Sequence, residues 1–333
     1  MRVCALINTT QFSIVPGKMS DFRKDRFQFR FTMGDGDMAK IESLNVKKTF
    51  KIKKDGNRYD ELPALGGVDL KIDQGEFMVI VGPSGCGKST FLDLVSGLML
   101  PDEGTISIDD KPVTGPGLDR AIVFQQNALF PWRNTLENVE FGLESINPDK
   151  DNRREIALDY LSLVGLSGYH NHYPHQLSGG MKQRVSIARA LALNPDILLM
   201  DEPLAALDAQ TREFLQRDIL RISKESHKTV LFITHSIDEA VFLGDKVAVM
   251  SARPGIIKQV LDIPLTAEQR TRDDVAATQE FVQSRLTLWK LLKEEVLKVQ
   301  DAQTRIQNQA PSNSLIRGSG SGLINAVRVL TKI

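Results

Sequence analysis

The stretch Gly-Pro-Ser-Gly-Cys-Gly-Lys-Ser-Thr, residues 82–90, follows directly on the apolar run Phe-Met-Val-Ile-Val, 77–81. Glycines at 82 and 87 let backbone N–H groups point inward around phosphate oxygens. A helix beginning here adds unpaired donors and the positive end of its dipole. Lys88 is then placed to reach the β- and γ-phosphates of a nucleotide, and Ser89 to ligate Mg²⁺. Further on, Ile-Leu-Leu-Met-Asp-Glu-Pro (197–203) closes an apolar run with two carboxylates. Asp201 can hold Mg²⁺, directly or through water. Glu202 can accept a proton from water, which is otherwise a poor nucleophile. Two more polar groups end apolar runs: Gln125 after Ile-Val-Phe and His235 after Leu-Phe-Ile-Thr. A histidine there can contact a γ-phosphate and an attacking water. Taken alone, His235 reads more readily as a satisfied strand-end side chain, and Gln125 shares that ambiguity.

Strands must carry these groups to one place. The runs at 77–81, 104–110, 121–124, 197–201, 229–234 and 246–250 read as strands, and the segments between them have helical periodicity. Continuous apolar strands alternating with helices imply a mainly parallel sheet covered on both faces. Open sheets of that kind bind ligands at their strand ends. Helical texture over roughly 127–193 predicts an inserted subdomain between two strand-rich halves, inside a domain spanning 39–265. Residues 266–300 predict an amphipathic helix, and 301–333, with Arg-Gly-Ser-Gly-Ser-Gly, a flexible tail. Residues 1–38 differ in texture and hold five of the fifteen phenylalanines, with Phe27, Phe29 and Phe31 in strict alternation. They can be an edge strand, a docking arm or upstream translation with Met38 as the working start. The readings without function are favoured, and the extension is taken as disordered.

The bulk properties exclude several classes. The 333 residues carry 42 basic and 42 acidic side chains, so charge gives no reason to expect nucleic acid as a partner. Two cysteines, Cys4 and Cys86, exclude a disulfide framework and point to the cytosol. Cys86 reads as a small buried filler rather than a redox group. No apolar run approaches the length of a membrane span, so a membrane connection has to come through a partner.

Further motifs turn a generic phosphate site into a resemblance. Leu-Ser-Gly-Gly-Met-Lys-Gln-Arg (177–184) precedes the Asp201–Glu202 strand, and Leu-Ala-Ala-Leu-Asp (204–208) follows it. With the phosphate loop, Val-Phe-Gln-Gln-Asn-Ala-Leu-Phe-Pro-Trp (123–132) and Ile-Thr-His-Ser (233–236), six motifs stand in the order of the ATP-binding subunits of ABC transporters. The chain resembles that family over about 40–255. The resemblance implies an α/β P-loop NTPase of RecA-like type, with a mainly parallel core sheet, an antiparallel β portion and an inserted α-helical subdomain. It implies ATP and Mg²⁺ as ligands. Gly82, Pro83, Ser84, Gly85, Cys86, Gly87, Lys88, Ser89 and Thr90 take the place of the phosphate loop. Asp201 resembles the Mg²⁺ ligand, Glu202 the catalytic base, Gln125 the γ-phosphate and Mg²⁺ sensor, and His235 the switch histidine. Ser178, Gly179 and Gly180 resemble the signature that closes over a partner's ATP, and Asp208 the acid linking two subunits. Phe50 sits where the family stacks an aromatic on adenine, ahead of Tyr59. Met181 stands where glutamine is commonest.

The implied partners are a second ATP-binding subunit, identical or paralogous, membrane permease subunits and, indirectly, a solute-binding protein. The implied location is the cytoplasmic face of the inner membrane. Phe130, Pro131 and Trp132 read in isolation as buried core, whereas in the family that region receives a helix of the permease. The wording of the loop, of Leu-Phe-Pro-Trp-Arg-Asn-Thr (129–135), of the signature and of Ser-Ala-Arg-Pro-Gly (251–255) is similar to importers of nitrate, sulfonate, taurine and bicarbonate. The rival readings are a soluble ABC-type ATPase without a transport role and a P-loop transferase. The first lacks here its usual doubled domains or coiled coil, and the second leaves the full motif set unexplained.

Overall fold

The computed structural model describes residues 39–53, 59–146, 149–205 and 207–309. The alternating stretch Phe27–Phe31 and the glycine-serine tail lie outside the described residues. The near-continuous apolar runs form β3 (Phe77–Val81), β7 (Ile197–Asp201), β8 (Thr229–Ile233) and β9 (Lys246–Met250), with Arg120–Val123 as β6 and Ile257–Asp262 as β10. They build a six-stranded sheet in the order β10-β9-β3-β8-β7-β6. Neighbours are parallel except β10, which runs antiparallel to β9.

The two-residue period of a strand sorts the side chains into two cores. Phe77, Val79 and Val81 enter one, with Leu198, Met200, Val230, Phe232, Val247 and Val249. Met78 and Ile80 enter the other, with Ile197, Leu199, Leu231, Ile233, Ala248 and Met250. The second core also takes Phe91, Leu92, Leu94 and Val95 of α1 (Lys88–Ser96). It is closed by a four-stranded antiparallel sheet built from β1 (Ala39–Lys53), β2 (Tyr59–Asp73), β4 (Glu103–Ile108) and β5 (Lys111–Pro112), in the order β2-β1-β4-β5. Each fully buried side chain such as Phe232 contributes on the order of 2 kcal/mol, so the strands form a stiff platform.

Helices α2 (Thr135–Leu143), α3 (Lys150–Leu163) and α4 (Gly179–Ala192) pack on one another and join the first core through Val139, Leu161 and Val185. After β7 come α5 (Ala209–Glu225) and α6 (Ile237–Leu243), and after β10 the short α7 (Ala267–Thr271) and the long α8. The backbone of α8 runs from Gln279 to Gln309, beyond the helix end at 300 expected from sequence. Phe281, Leu288 and Leu292 of α8 are buried, and the helix packs on α6 and β9. Because the central strands are parallel, β3, β6, β7 and β8 end at one edge of the sheet. There the chain continues into Gly82, Gln125, Glu202 and His235, in the arrangement that open α/β sheets use for ligands.

Candidate nucleotide site at the strand edge

The loop after β3 leads into α1, whose N-cap is Gly87 at φ +113, with no side-chain cap. That conformation needs glycine twice over. It lies in the left-handed half of backbone space, and a Cβ at 87 would stand 2.7 Å from Leu65 Cδ2 and 2.8 Å from the Ala64 carbonyl. By contrast, α2 starts with a complete capping box, Asn134 accepting from the Glu137 N–H and Glu137 accepting from the Asn134 N–H. No side chain of α1's own cap claims its first N–H groups, so they can serve an anion. Lys88 is buried, and its Nζ donates to the carbonyls of Gly82 at 2.9 Å and Pro83 at 3.1 Å. Phosphate oxygens can take over those donors. Cys86 is buried, and burial pushes its thiol pKa up, in keeping with a filler role.

The ends of β6, β7 and β8 bring three polar groups together. Gln125 Nε2 donates to Glu202 Oε2 at 3.1 Å, and His235 Nδ1 lies 3.3 Å from the same oxygen. Sequence alone leaves both residues ambiguous; the geometry gathers them around one carboxylate. Glu202 holds φ +43, uncommon for a residue with a Cβ, and its N–H donates to the Ile233 carbonyl at 3.0 Å. Strain of this kind, on the order of 1 kcal/mol, gathers at functional positions. One residue earlier, burial pushes the Asp201 pKa up, with a hydrogen bond from Ser89 and the Lys88 charge opposing and the charges of Glu202 and Asp93 adding to the rise. Asp201 Oδ1 is fully buried and has no hydrogen-bond partner among the described residues. A buried carboxylate oxygen left open beside a hydroxyl suits a hard cation with oxygen ligands. Ser89 and Asp201 therefore fit Mg²⁺, whereas the side-chain bond of Gln125 goes to Glu202.

The other candidate residues stand elsewhere. Ser178 caps α4, accepting from the Met181 N–H at 3.3 Å, and Asp208 caps α5, accepting from the Thr211 N–H at 3.0 Å. The two helix starts adjoin, for a Cβ on Gly180 would lie 3.1 Å from Thr211 Cγ2 and 3.4 Å from Leu207 Cδ2. Ser178, Gly179 and Asp208 are exposed. Phe50, half-buried, sits on β1 opposite Leu62, and Tyr59, exposed, begins β2 opposite Lys53; both belong to the antiparallel sheet. Phe130–Trp132 is not core, as the segment reads in isolation: Trp132 is 71% exposed and Phe130 half-buried. The rings of Phe130, Trp132 and Phe141 form an open cluster, with Phe130 and Phe141 4.5 Å apart and Arg133 over Phe141. Arg189 ties that segment back through the Ala128 carbonyl at 2.9 Å.

Sequence reading missed Glu239, a buried acid whose Oε2 accepts from Thr234 Oγ1 at 2.6 Å, fixing the turn that carries His235. Its only trace in the sequence is an acid in the first turn of α6. Sequence also gives no sign that Arg253 Nε, in the stretch 251–255, donates to the Gly85 carbonyl of the loop at 2.9 Å.

Fold and strand edge together define a P-loop nucleoside triphosphatase. Residues 65–205 match the ABC transporter family. An uncharacterized ABC transporter ATP-binding protein of Methanocaldococcus jannaschii is 49% identical over 260 residues, 78% of this chain and 94% of that protein. A taurine import ATP-binding protein of Pelagibacter ubique is 40% identical over 265 residues, 78% of this chain and 98% of that protein. A dimeric ATP-binding cassette in a post-hydrolysis state, bound to ADP and Pi, aligns with a TM-score of 0.61 at 36% identity, covering 68% of this chain and all of that one. The chain belongs to the ATP-binding subunits of the ABC transporter family, and it is an ATPase.

Proposed function

We propose that this chain is the ATP-hydrolysing subunit of an importer, in which two such subunits close over ATP, open after hydrolysis, and drive uptake of a small anion through a membrane permease. The observation that carries the reading is the convergence of Gln125 and His235 on one oxygen of Glu202, one residue from Asp201. Glu202 accepts the proton of the attacking water. His235 orients that water and the γ-phosphate, and Gln125 reports whether the γ-phosphate is present. Lys88 and the N–H groups of the loop Gly82–Thr90 hold the β- and γ-phosphates, and Phe50 stacks on adenine. Ser89, Asp201 and Gln125 hold Mg²⁺, which when bound neutralises phosphate charge.

The exposed Ser178, Gly179 and Asp208 meet the second subunit, where Ser178 and the α4 N-terminus complete its ATP site. Gln125 lies only two residues before Asn127, which starts the segment running through the open aromatic cluster. A permease helix seated on Trp132 and Phe141 thus feels the γ-phosphate state directly. Residues 39–265 form the nucleotide-binding domain, with a helical subdomain about 127–193. The subunit is proposed to sit peripherally at the cytoplasmic face; among the described residues no helix is long and apolar enough to cross a membrane. The taurine importers among the relatives, including one of Yersinia pestis at 49% identity over 205 residues, support a sulfonate-bearing solute of the taurine type within the proposed taurine, sulfonate, nitrate and bicarbonate group.

Glu202→Gln is expected to bind ATP, lose about 10²–10⁴-fold in turnover and elute as a dimer with ATP. Ser178→Arg is expected to bind ATP as a monomer and never pair. Full turnover in the first variant removes Glu202 as the base, and pairing by the second removes the head-to-tail closure. Taurine-stimulated ATPase activity of the subunit reconstituted with its permease and binding protein tests the anion class.

A further inference from the structure

Residues 251–255, Ser-Ala-Arg-Pro-Gly, lead from β9 toward β10 and lie against the loop 82–90. Arg253 Nε donates to the Gly85 carbonyl at 2.9 Å. Gly255 approaches the Cys86 carbonyl so closely that a Cβ there would overlap that oxygen and stand 3.0 Å from Met250 Sδ. Gly255 also donates to the Ala64 carbonyl at 2.9 Å and accepts from the Gly66 N–H at 3.0 Å, which pins this segment to β2. A peptide unit is planar, so holding its oxygen fixes the direction of its N–H. The contact on the Gly85 oxygen therefore sets the Cys86 N–H, which makes only a long 3.4 Å bond to Pro83. Packing on the Cys86 oxygen likewise sets the Gly87 N–H. These are donors of the kind a phosphate needs.

The segment 251–255 is held from behind by α8. Glu295 is buried, and its Oε2 accepts from the Ala252 N–H at 2.9 Å. Its Oε1 meets Lys258 Nζ at 2.8 Å and Lys298 Nζ at 2.7 Å. Burial works to raise the pKa of this carboxyl, but the three donors outweigh it and hold the value at about 2, so the group stays ionised. The apolar stripe Phe281, Leu288 and Leu292 seats the helix one side of the cluster, so Glu295 is delivered to a fixed place.

We propose that Arg253 and Glu295 are positioning residues for the phosphate loop: Glu295 fixes the 251–255 segment through the Ala252 N–H, and Arg253 fixes the Gly85 carbonyl. The C-terminal helix thereby sets how ready the loop is to take a triphosphate. This rests on the reading of Gly82–Thr90 as the phosphate-binding loop.

The test is steady-state ATP hydrolysis and thermal melting of the full chain. Arg253 is exposed, so Arg253→Ala removes no core contact. Its KM for ATP is expected to rise about fivefold, the scale of one lost hydrogen bond at a solvent-exposed side chain, and more than kcat falls. Arg253→Lys is expected to recover part of the KM. Glu295→Gln is expected to raise KM alike, and to add less in the Arg253→Ala background than alone, because the two act on one loop. A purely structural role lowers the melting temperature and leaves KM in place. Wild-type KM in both folded variants overturns the proposal, as do effects that multiply in full. Lys88→Ala separates the failures. If it keeps wild-type ATP affinity, the phosphate-loop reading itself falls. If it loses affinity while the other two variants are silent, only the positioning role falls.

Discussion

Two carboxylates with buried oxygens, one on the parallel sheet and one on the C-terminal helix, have opposite surroundings. Asp201 ends β7 with Oδ1 buried and unbonded among the described residues, and burial raises its pKa. Glu295 is more deeply buried as a side chain, 1% exposed, yet two ammonium groups and one N–H satisfy it and its pKa is about 2. Both positions bear the desolvation cost of a charge. At Glu295 the compensating cations are part of the chain, so the cost is offset on folding. At Asp201 the Ser89 hydroxyl and the Lys88 charge offset only part of it, and the charges of Glu202 and Asp93 add to it. A structural carboxylate is complete when the chain folds, and one that holds a cation, the role proposed for Asp201, becomes complete only with it.

Asp201→Asn should give the largest break in this contrast. With the amide in place of the carboxylate, Mg²⁺-dependent turnover is expected to fall at least about 100-fold. The nucleotide-free chain is expected to melt at the same temperature or higher, because an uncompensated charge has gone. Turnover measured beside calorimetry of the nucleotide-free variant checks both. Unimpaired turnover, or a clear fall in melting temperature, would place Asp201 with the structural carboxylates.

That contrast was half legible in the sequence. Asp201 closes an apolar run and is followed by Glu202, so its place at a strand end could be read from the pattern of Ile197–Met200. The parallel sheet was legible for the same reason, since the runs at 77–81 and 229–233 have no polar face to leave in water. Glu295 was not legible. It sits in the run Lys-Glu-Glu-Val-Leu-Lys (293–298), where Glu294 is its exposed twin and nothing local tells them apart. What selects Glu295 is the partner set, Ala252 and Lys258, which approach from 43 and 37 residues away along the chain (295 − 252 and 295 − 258). Trp132 failed in the other direction. An apolar stretch reads in isolation as core; only the family resemblance pointed to a surface, and the packing shows Trp132 facing outward. The meeting of Gln125 and His235 at Glu202 also waited for the structure, because each residue alone is an ordinary strand-end side chain.

Glu295→Gln sharpens the comparison from the structural side. It is expected to lose about 2 kcal/mol of stability, the cost of removing charge-assisted hydrogen bonds from a buried group. Lys258 keeps Glu294 at 3.3 Å, and Lys298 is 61% exposed, so both ammonium groups retain solvation and the loss stays moderate. Urea denaturation should show a lower midpoint at an unchanged slope. A variant as stable as the wild type would mean that Glu295 gains nothing from its three donors, and the contrast with Asp201 would vanish.

A further test is its pH dependence. The folded-state pKa of Glu295 is lowered from the ordinary 4.5 to about 2. A depressed carboxyl pKa contributes stability that is fully present above the unfolded-state value and is lost as pH falls toward the folded-state value. The cations facing Glu295 are Lys258 and Lys298, and Lys258 also pairs with Glu294 at 3.3 Å. The stability difference between wild type and Glu295→Gln should therefore be constant from neutral pH down to about 4.5 and shrink steadily below it. Subtracting the two urea curves at each pH removes the titration of all other carboxylates, which both proteins share. A difference that stays constant down to about pH 3 would show that Glu295 titrates at an ordinary value in both states, and that its donors orient the helix without holding its charge.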